Sequence, residues 1–266
     1  MRRRTLFVLR ALGLGDLLTA VPALRGLARA YPAHRRVLGA PRELAPLVRL
    51  IDLPERPGEP VFDVAPVRGL GWLPSTTAGA EVAVNLHGRG PQSHQLLMRA
   101  RPAELIAFRH ALAWPSGPEW RADEHEVRRW CRLLRAHGAA AEPDELDLAA
   151  PGENGREPDL TLLHPGAGSP ARCWPTARWA AVARAETARR HRVLVTGGPA
   201  ERRLAGDIAR RAGLPTTAVA AGRTDLAELA RLVARAGRLA CGDTGIAHLA
   251  TALRTPSVVL FGPTSP

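Results

Sequence analysis

The stretch that decides the fold is residues 239–266, which read LACGDTGIAHLATALRTPSVVLFGPTSP. Its apolar start predicts a strand, after which Asp243 or Thr244 can cap a helix. The first N–H groups of a helix lack intrahelical partners and can bind an anion. Residues 256–261 are rich in β-branched side chains and predict a buried parallel strand. We therefore expect a strand, a helix and a second strand, with a binding site for an anion such as a diphosphate at the start of the helix.

Glycine-bearing loops recur through the C-terminal half, each after an apolar strand. The predicted strands are 160–164, 192–196, a short one at Val219, and 239–241, and the loops are 165–169, 197–201, 222–224 and 242–245. Loops that follow parallel strands lie at one edge of the sheet, so these loops should converge. Their repetition favours a nucleotide site in a parallel sheet that has helices on both faces.

The N-terminal half begins with a similar unit. The strand 5–9 leads into Gly13-Leu-Gly15-Asp16 and an apolar helical pattern from Leu17 to Leu27. A dinucleotide fingerprint needs glycine where Leu18 stands, which disfavours an NAD-dependent oxidoreductase. On spacing alone, Asp16 is either a helix-capping residue or a carboxylate held at a functional edge.

Further strands are predicted at 36–40, 82–86 and 104–108, with helical patterns at 43–50 and 124–137 and little pattern in 52–80. Pro22 falls near the start of the Leu17–Leu27 helix, where proline is tolerated, and Glu228, three residues after Asp225, has the spacing of a capping box. The loop 85–94 is polar and directly follows a strand, so it is either a substrate-recognition loop or an ordinary solvated one. The candidate acceptor-side residues are Gly15, His87, Arg89, Gln92 and Ser93. The linker-like segment 150–158 gives two predicted domains, 1–152 and 153–266.

The amino-acid composition limits the classes of function that this chain could have. The net charge is +12 and all 37 basic residues are Arg, a residue suited to phosphates, so an anionic substrate, nucleic acid or an anionic membrane surface would fit, as would a merely solvated surface. The three cysteines are isolated, which argues against disulfides or a zinc site. Arg10, Asp16 and Arg25 interrupt the apolar start, so we expect no signal peptide, and no run is long enough for a membrane span.

Motifs along nearly the whole chain resemble glycosyltransferase family 9, the ADP-heptose heptosyltransferases of the GT-B class. They are Gly13-x-Gly15-Asp16 with Pro22 six residues after Asp16, His164-Pro-Gly-Ala167, Arg172-x-Trp174-Pro175, Gly197-Gly-Pro-x-Glu201, and Gly242-Asp-Thr-Gly-x-x-His248-Leu-x-x-Ala252 with its Phe-Gly-Pro-Thr-x-Pro266 ending. The resemblance implies an α/β, GT-B-like fold of two Rossmann-like, doubly wound domains facing a cleft. The acceptor would bind the N-terminal domain and the nucleotide-sugar the C-terminal one.

The resemblance also implies roles for individual residues. Asp16 matches the general base of an inverting transfer, which needs a carboxylate to take the acceptor proton and positive groups for the departing diphosphate, without necessarily using a metal. The positions that match donor-binding residues are Arg172, Glu201, Thr224, Asp243, Thr244, Gly245 and His248. No metal and no other cofactor is expected.

Two departures from the family pattern stand out. Arg172 occupies a position that is often Lys, which keeps the charge but changes its geometry. The chain also stops at Pro266, where the family normally continues, so we expect a truncated C-terminal end.

The resulting expectation is a metal-independent glycosyltransferase that moves a heptose or related sugar from an ADP-sugar to a saccharide or glycolipid acceptor in lipopolysaccharide or cell-envelope glycan synthesis. We expect it in the cytoplasm, and its charge is compatible with the inner face of a membrane. The alternative is a non-catalytic nucleotide- or nucleic-acid-binding protein that uses the Arg-rich C-terminal half. Only 4% of the residues are aromatic, which leaves few platforms for base stacking.

Overall fold

Within residues 4–152, 155–168 and 172–262, which the computed structural model describes, nine strands form two parallel sheets. The chain divides into two units, Met1–Ala149 and Ala150–Pro266, here called the N-terminal unit and the C-terminal unit. Both are α/β, as the sequence predicted. Ser169 of the predicted glycine loop and residues 263–266 of the last motif lie outside the described residues.

The N-terminal unit alternates strands and helices. Its elements are β1 (Thr5–Leu9), α1 (Leu14–Thr19), α2 (Val21–Ala30), β2 (Arg35–Ala40), α3 (Ala45–Val48), β3 (Asp63–Pro66), β4 (Val82–Asn85), α4 (Gln92–Met98), β5 (Glu104–Ile106) and α5 (Glu126–Arg135). The strand order is β3-β2-β1-β4-β5, which matches the first five strands of a Rossmann sheet. Phe7, Val37 and Leu97 are among the side chains that form its core.

The C-terminal unit repeats this plan. Its elements are β6 (Glu157–His164), α6 (Thr176–Ala188), β7 (Arg192–Val195), α7 (Arg202–Ala212), α8 (Leu226–Arg235), β8 (Ala236–Gly242), α9 (Gly245–Ala252) and β9 (Ser257–Leu260). The strand order is β7-β6-β8-β9. Trp179, Val195 and Ile208 pack in its core.

The predicted short strand at Val219 is instead a single parallel bridge to Val195. A 3-10 turn over Thr216–Ala218 comes directly before it, so too little extended backbone remains for a ladder. The bridge nevertheless occupies the place of the third strand in a Rossmann order. In both units the order reverses beside the first strand, between β1 and β4 and between β6 and β8, and such a reversal is where open α/β sheets bind ligands.

The helix predicted from Leu17 to Leu27 is interrupted at Ala20, where α1 ends and α2 begins. Pro22, the second residue of α2, explains the break. It has no N–H to donate to Leu18, and its ring would clash with that carbonyl in a continuous helix. Asp16 therefore lies on a helix of only 6 residues.

Two other predictions needed correction. The segment 52–80, which has little pattern, contributes β3. The strand predicted as buried at 256–261 is β9, which lies at the end of the strand order, and Val258 and Phe261 are 62% and 50% exposed. A β-branched run is typical of both central and edge strands, so its composition could not distinguish them. In the described part of the chain, none of the helices combines the length and the apolar character needed to cross a bilayer.

Candidate functional site

The glycine loops of the C-terminal unit contact one another at the carboxyl edge of the sheet. The N–H of Gly222 donates to the carbonyl of Gly197 at 2.9 Å, which ties the loop after the Val219 bridge to the loop after β7. An Arg172 guanidinium nitrogen lies 3.6 Å from a carboxylate oxygen of Asp243, joining the segment after β6 to the loop after β8. These residues are called the loop cluster below: 164–168, 172, 196–201, 222–224 and 242–245.

Glu201 joins the loops after β6 and β7. Its Oε2 accepts a hydrogen bond from the N–H of Gly198 at 2.6 Å. Its other side lies against the backbone of Gly166, where an added Cβ would be 1.5 Å from Oε1. The observed position of the Glu201 carboxylate therefore depends on the absence of a side chain at Gly166. The half-buried carboxylate is thus fixed in place and can accept hydrogen bonds from hydroxyl groups.

His164 and Thr196 form a second polar layer that the sequence analysis did not single out as functional. His164 Nδ1 lies 3.0 Å from Thr196 Oγ1, and that hydroxyl reaches the carbonyl of Leu163 at 3.3 Å. Burial lowers the pKa of His164, and nearby Glu201 opposes this only in part. A neutral imidazole therefore supports the floor of the loop cluster. The signal available in the sequence was a polar residue at the last position of an otherwise apolar strand.

Among the described residues, the start of α9 lacks a side-chain capping hydrogen bond. Thr244 is the N-cap residue with extended backbone (φ −150°), but its hydroxyl makes no capping bond. Among the described residues, Thr244 Oγ1 is a buried oxygen with no hydrogen-bond partner. The sequence predicted that the side chain of Asp243 or Thr244 caps α9. In the described part of the chain, neither side chain makes a capping hydrogen bond to this helix. The free N–H groups and the hydroxyl remain available for a ligand at the positive end of the helix.

The remaining predicted donor residues lie close by in the chain. Thr224 directly precedes Asp225, whose carboxylate accepts from the N–H of Glu228 at 2.8 Å in the predicted capping box. Gly245 is the first residue of α9, and His248 is exposed one turn further along. Burial, together with Asp243, raises the pKa of Cys241 to about 12, so this thiol stays protonated and is not a nucleophile at neutral pH.

The N-terminal unit has its own polar edge beside β1 and β4. Asp16 is 40% exposed, and its Oδ2 accepts from the N–H of Gly13 at 3.0 Å. Gly15 lies between them in the same turn. Arg10, fully buried at the end of β1, donates from Nε to the main-chain oxygen of Asp16 at 2.7 Å. The carboxylate therefore does cap its helix, and it is also held at the reversal point of the sheet, so the two interpretations of Asp16 are compatible.

His87 lies near Arg10 and Asp16, which the sequence could not reveal because His87 follows β4 whereas Arg10 and Asp16 follow β1. Burial lowers the pKa of His87, and the charge of Arg10 adds to this while Asp16 opposes it. His87 Nδ1 is buried and has no partner among the described residues. A neutral imidazole beside a carboxylate can bind a sugar hydroxyl.

Ser93 lies in the interior and supports the loop that carries His87. Asn85 Nδ2 donates to Ser93 Oγ at 2.9 Å and to the carbonyl of Gly88 at 3.1 Å, and Asn85 Oδ1 accepts from the N–H of His87 at 3.0 Å. Ser93 is 3% exposed, so its hydroxyl faces Asn85 and not the solvent.

Arg89 and Gln92 are exposed at the rim of this loop. Gly90, between them, has φ +80°, and an added Cβ would lie 2.0 Å from Nδ1 of His94. Among the described residues, no group of three or more His, Cys, Asp or Glu side chains is arranged to hold a metal ion.

Comparison with known proteins gives consistent matches. A sequence model described as "Glycosyltransferase family 9 (heptosyltransferase)" matches residues 116–266. Lipopolysaccharide heptosyltransferase 1 of Pseudomonas aeruginosa is 40% identical over 124 residues, which cover 46% of this chain and 33% of that protein. Lipopolysaccharide heptosyltransferase 3 of Escherichia coli is 34% identical over 122 residues, which cover 45% of this chain and 34% of that protein.

The match with each of these two relatives thus spans about a third of the relative's length. The solved structure of E. coli ADP-heptose lps heptosyltransferase II has a TM-score of 0.76 over 98% of this chain and 86% of its own, at 19% identity. This similarity extends through both units and shows the fold.

Proposed function

The chain belongs to glycosyltransferase family 9, and from this we propose that it is an inverting, metal-independent glycosyltransferase. We propose that it moves a heptose or related sugar from an ADP-sugar to a hydroxyl of a saccharide or glycolipid acceptor, in lipopolysaccharide or cell-envelope glycan synthesis. The names of the two similar lipopolysaccharide heptosyltransferases, and of the similar ADP-heptose enzyme of known structure, support this choice of sugar and donor.

The observation that carries the proposal is the combination of groups at the start of α9. Among the residues that the structure describes, Thr244 has a buried hydroxyl without a hydrogen-bond partner, α9 begins with N–H groups that lack intrahelical partners, and Arg172 lies beside Asp243. Three kinds of hydrogen-bond donor with net positive character suit the diphosphate of a nucleotide-sugar. In the proposed complex Thr244 and Gly245 bind the diphosphate, with Asp243 and His248 beside the sugar.

The other loops would bind the nucleoside. Glu201, held between Gly166 and Gly198, can accept hydrogen bonds from both ribose hydroxyls. Thr224, at the end of the neighbouring loop, is the proposed neighbour of the adenine. These assignments follow the family resemblance residue by residue.

The proposed chemistry needs one proton transfer and one displacement. Asp16 takes the proton of the acceptor hydroxyl as that oxygen attacks the anomeric carbon, and the bond from this carbon to the diphosphate oxygen breaks. The sugar is transferred with inversion and ADP leaves, its developing charge stabilised by Arg172 and the start of α9. We propose that Gly15, His87, Arg89 and Gln92 line the acceptor side, with Ser93 supporting them from the interior through Asn85.

We also propose a cytoplasmic site of action at the inner face of a membrane, where a lipid-linked acceptor would be presented. The net charge of +12 favours an anionic surface.

Isothermal titration with ADP, GDP and UDP tests the donor assignment. We expect ADP to bind most tightly. Arg172→Met should weaken ADP about 10-fold, the effect of one charge-assisted hydrogen bond. Arg178→Met is a matched control, because Arg178 is also exposed but stacks on Trp174 at 5.7 Å, and it should leave ADP binding unchanged. Equal binding of the three nucleotides, or tight salt-dependent binding of RNA instead, would contradict the proposal.

A further inference from the structure

Arg10 is a buried cation that joins the turn carrying Asp16 to the end of β4 and to α5. Besides the bond from Nε to the Asp16 carbonyl, Nη2 donates to Thr19 Oγ1 at 3.0 Å and Nη1 donates to the carbonyl of Leu86. The Thr19 hydroxyl in turn donates to the same Asp16 carbonyl at 2.9 Å. Arg10 therefore fixes α1 against the end of β4, on both sides of the point where the sheet order reverses.

Two carboxylates share this guanidinium at unequal distances. Glu126 Oε1 lies 2.8 Å from Arg10 Nη2, whereas Asp16 Oδ1 lies 3.8 Å from it. Trp130 closes the arrangement, since its ring lies 4.9 Å from the guanidinium and its Nε1 donates to Glu126 Oε1 at 3.2 Å. Glu126 is thus the nearer counter-ion, and Asp16 keeps an oxygen that Arg10 does not bind directly.

Glu126 is placed to stay ionised. It is the first residue of α5, where the helix dipole favours a negative charge. Burial alone would raise the pKa of Glu126, but the charge and hydrogen bond of Arg10 outweigh burial and lower it.

A buried Arg cannot be left without a counter-ion at low cost. When a base beside it accepts a proton, that base loses its charge, and a second carboxylate must then balance the cation. We propose that Glu126 is a positioning residue, the permanent counter-ion of Arg10, which holds the Asp16 turn in place and leaves the Asp16 carboxylate free to take the acceptor proton. This inference rests on the proposed role of Asp16 as the base.

The charged and titratable groups around the Arg10–Asp16 contact come from three elements. Arg10 follows β1, His87 follows β4 and is neutral, and Glu126 lies on α5 and pairs with Arg10, while Arg129 of α5 acts on both Arg10 and Glu126. Removing the charge of Glu126 would leave Arg10 with Asp16 as its remaining close carboxylate. Asp16 would then be held in its ionised form more strongly and would be a weaker base.

The test uses Glu126→Gln in the whole chain, with transfer measured against pH. We expect the acid limb of kcat/KM to move about one unit to lower pH, the shift typical of an uncompensated opposite charge nearby. The plateau of kcat should fall several-fold, since a weaker base transfers the proton less well, while KM for the donor should not change. Glu124→Gln is the matched control, because Glu124 pairs with Arg132 at 2.7 Å and should leave the acid limb in place.

Glu126→Asp keeps the charge at a greater distance and should restore the acid limb even if the plateau stays low. If Glu126→Gln does not fold, the kcat plateau of Glu126→Asp decides the matter: the greater distance from Arg10 should lower it several-fold, whereas Glu124→Asp should leave it at the wild-type level, and an unchanged plateau in Glu126→Asp would overturn the inference. An acid limb that is unmoved in Glu126→Gln, or moved equally in Glu126→Asp, would overturn the inference.

A second readout separates this inference from the proposed function. ¹³C NMR titration of the aspartate carboxyl groups, assigned with Asp16→Asn, follows Asp16 without any substrate. We expect the Asp16 midpoint to move to lower pH in Glu126→Gln and not in Glu124→Gln. If the wild-type chain transfers no sugar but the Asp16 midpoint still moves in Glu126→Gln, the transferase proposal alone is refuted, whereas a midpoint that does not move in Glu126→Gln refutes the role of Glu126.

Discussion

Neutralising Glu186 should destabilise the C-terminal unit, with a dependence on pH that identifies the cause. Glu186 is 8% exposed on α6. Its Oε2 accepts from Thr161 Oγ1 at 2.7 Å and lies 2.9 Å from His191 Nδ1 and 3.2 Å from Arg238. Glu186 therefore ties α6 to β6 and β8 at the sheet edge opposite the loop cluster.

The size of the effect follows from the ionisation of Glu186. Burial would raise its pKa, but its hydrogen bonds outweigh burial and lower the pKa from 4.5 to about 2. One pH unit corresponds to about 1.4 kcal/mol, so ionisation of Glu186 contributes about 3 kcal/mol at neutral pH. Arg238 is partly exposed and solvent screens some of its attraction, so we expect Glu186→Gln to cost about 2–3 kcal/mol.

The sign with pH is fixed by linkage. A carboxyl group with a lowered pKa in the folded state stabilises the protein above its unfolded pKa and ceases to do so as pH falls through its folded pKa. The difference between wild type and Glu186→Gln should therefore be full at pH 7, shrink to less than half near pH 3, and disappear below about pH 2.

The assay is a urea titration followed by hydrogen exchange and mass spectrometry of the peptide that contains β6, which isolates the C-terminal unit from the rest of the chain. Asp207→Asn is the matched control, because Asp207 also pairs with an Arg three residues later but is 47% exposed, and it should cost no more than about 0.5 kcal/mol. A difference for Glu186→Gln that does not change between pH 7 and pH 3 would refute the electrostatic explanation.

Three further outcomes are expected. Asp16→Asn should abolish sugar transfer, since the amide cannot take a proton, while ADP binding measured by calorimetry stays within about 3-fold; full activity would remove Asp16 from the mechanism. Thr244→Val should leave the melting temperature unchanged or raise it, because the hydroxyl has no partner, yet weaken ADP up to about 10-fold; a large loss of stability would reveal a structural role. At pH 8 a maleimide counted by mass spectrometry should modify exposed Cys173 and spare Cys131 and Cys241, because burial raises their pKa values to about 11 and about 12.

Local patterns predicted most of the strands and helices of both units because most strands are apolar runs that lead into a loop rich in glycine, proline or polar residues. The strand 5–9 was predicted with its observed bounds, and the capping box at Asp225 was recognised from its spacing. Position within the sheet was not predictable, because the composition of β9 is the same whether another strand covers its far edge or not. Likewise, Pro22 was predicted to be tolerated near a helix start. Its interruption of the helix depends on the position of the Leu18 carbonyl, which the proline ring would contact in a continuous helix.

The candidate site was predicted less completely than the fold. Loop residues could be proposed one by one, since parallel topology brings their backbones to one edge. What the sequence could not provide was the pairing of side chains from distant segments. Arg10 and Glu126 are 116 positions apart, and His87 lies near Arg10 only because β4 pairs with β1. Buried partners of this kind are close in three dimensions, but no characteristic number of residues separates them in the sequence.

The close contact between Gly166 and Glu201 should couple the residue types found at these two positions in homologues. A methyl group at residue 166 would overlap the carboxylate in its observed position, so a sequence that has a side chain there must turn the Glu201 carboxylate away from the loop after β6 or have a shorter residue at 201. The two positions should therefore covary across homologues: Gly at 166 with Glu at 201, and the loss of one with the loss of the other. A homologue without this pair lacks the carboxylate at position 201, even where its other loop residues are the same.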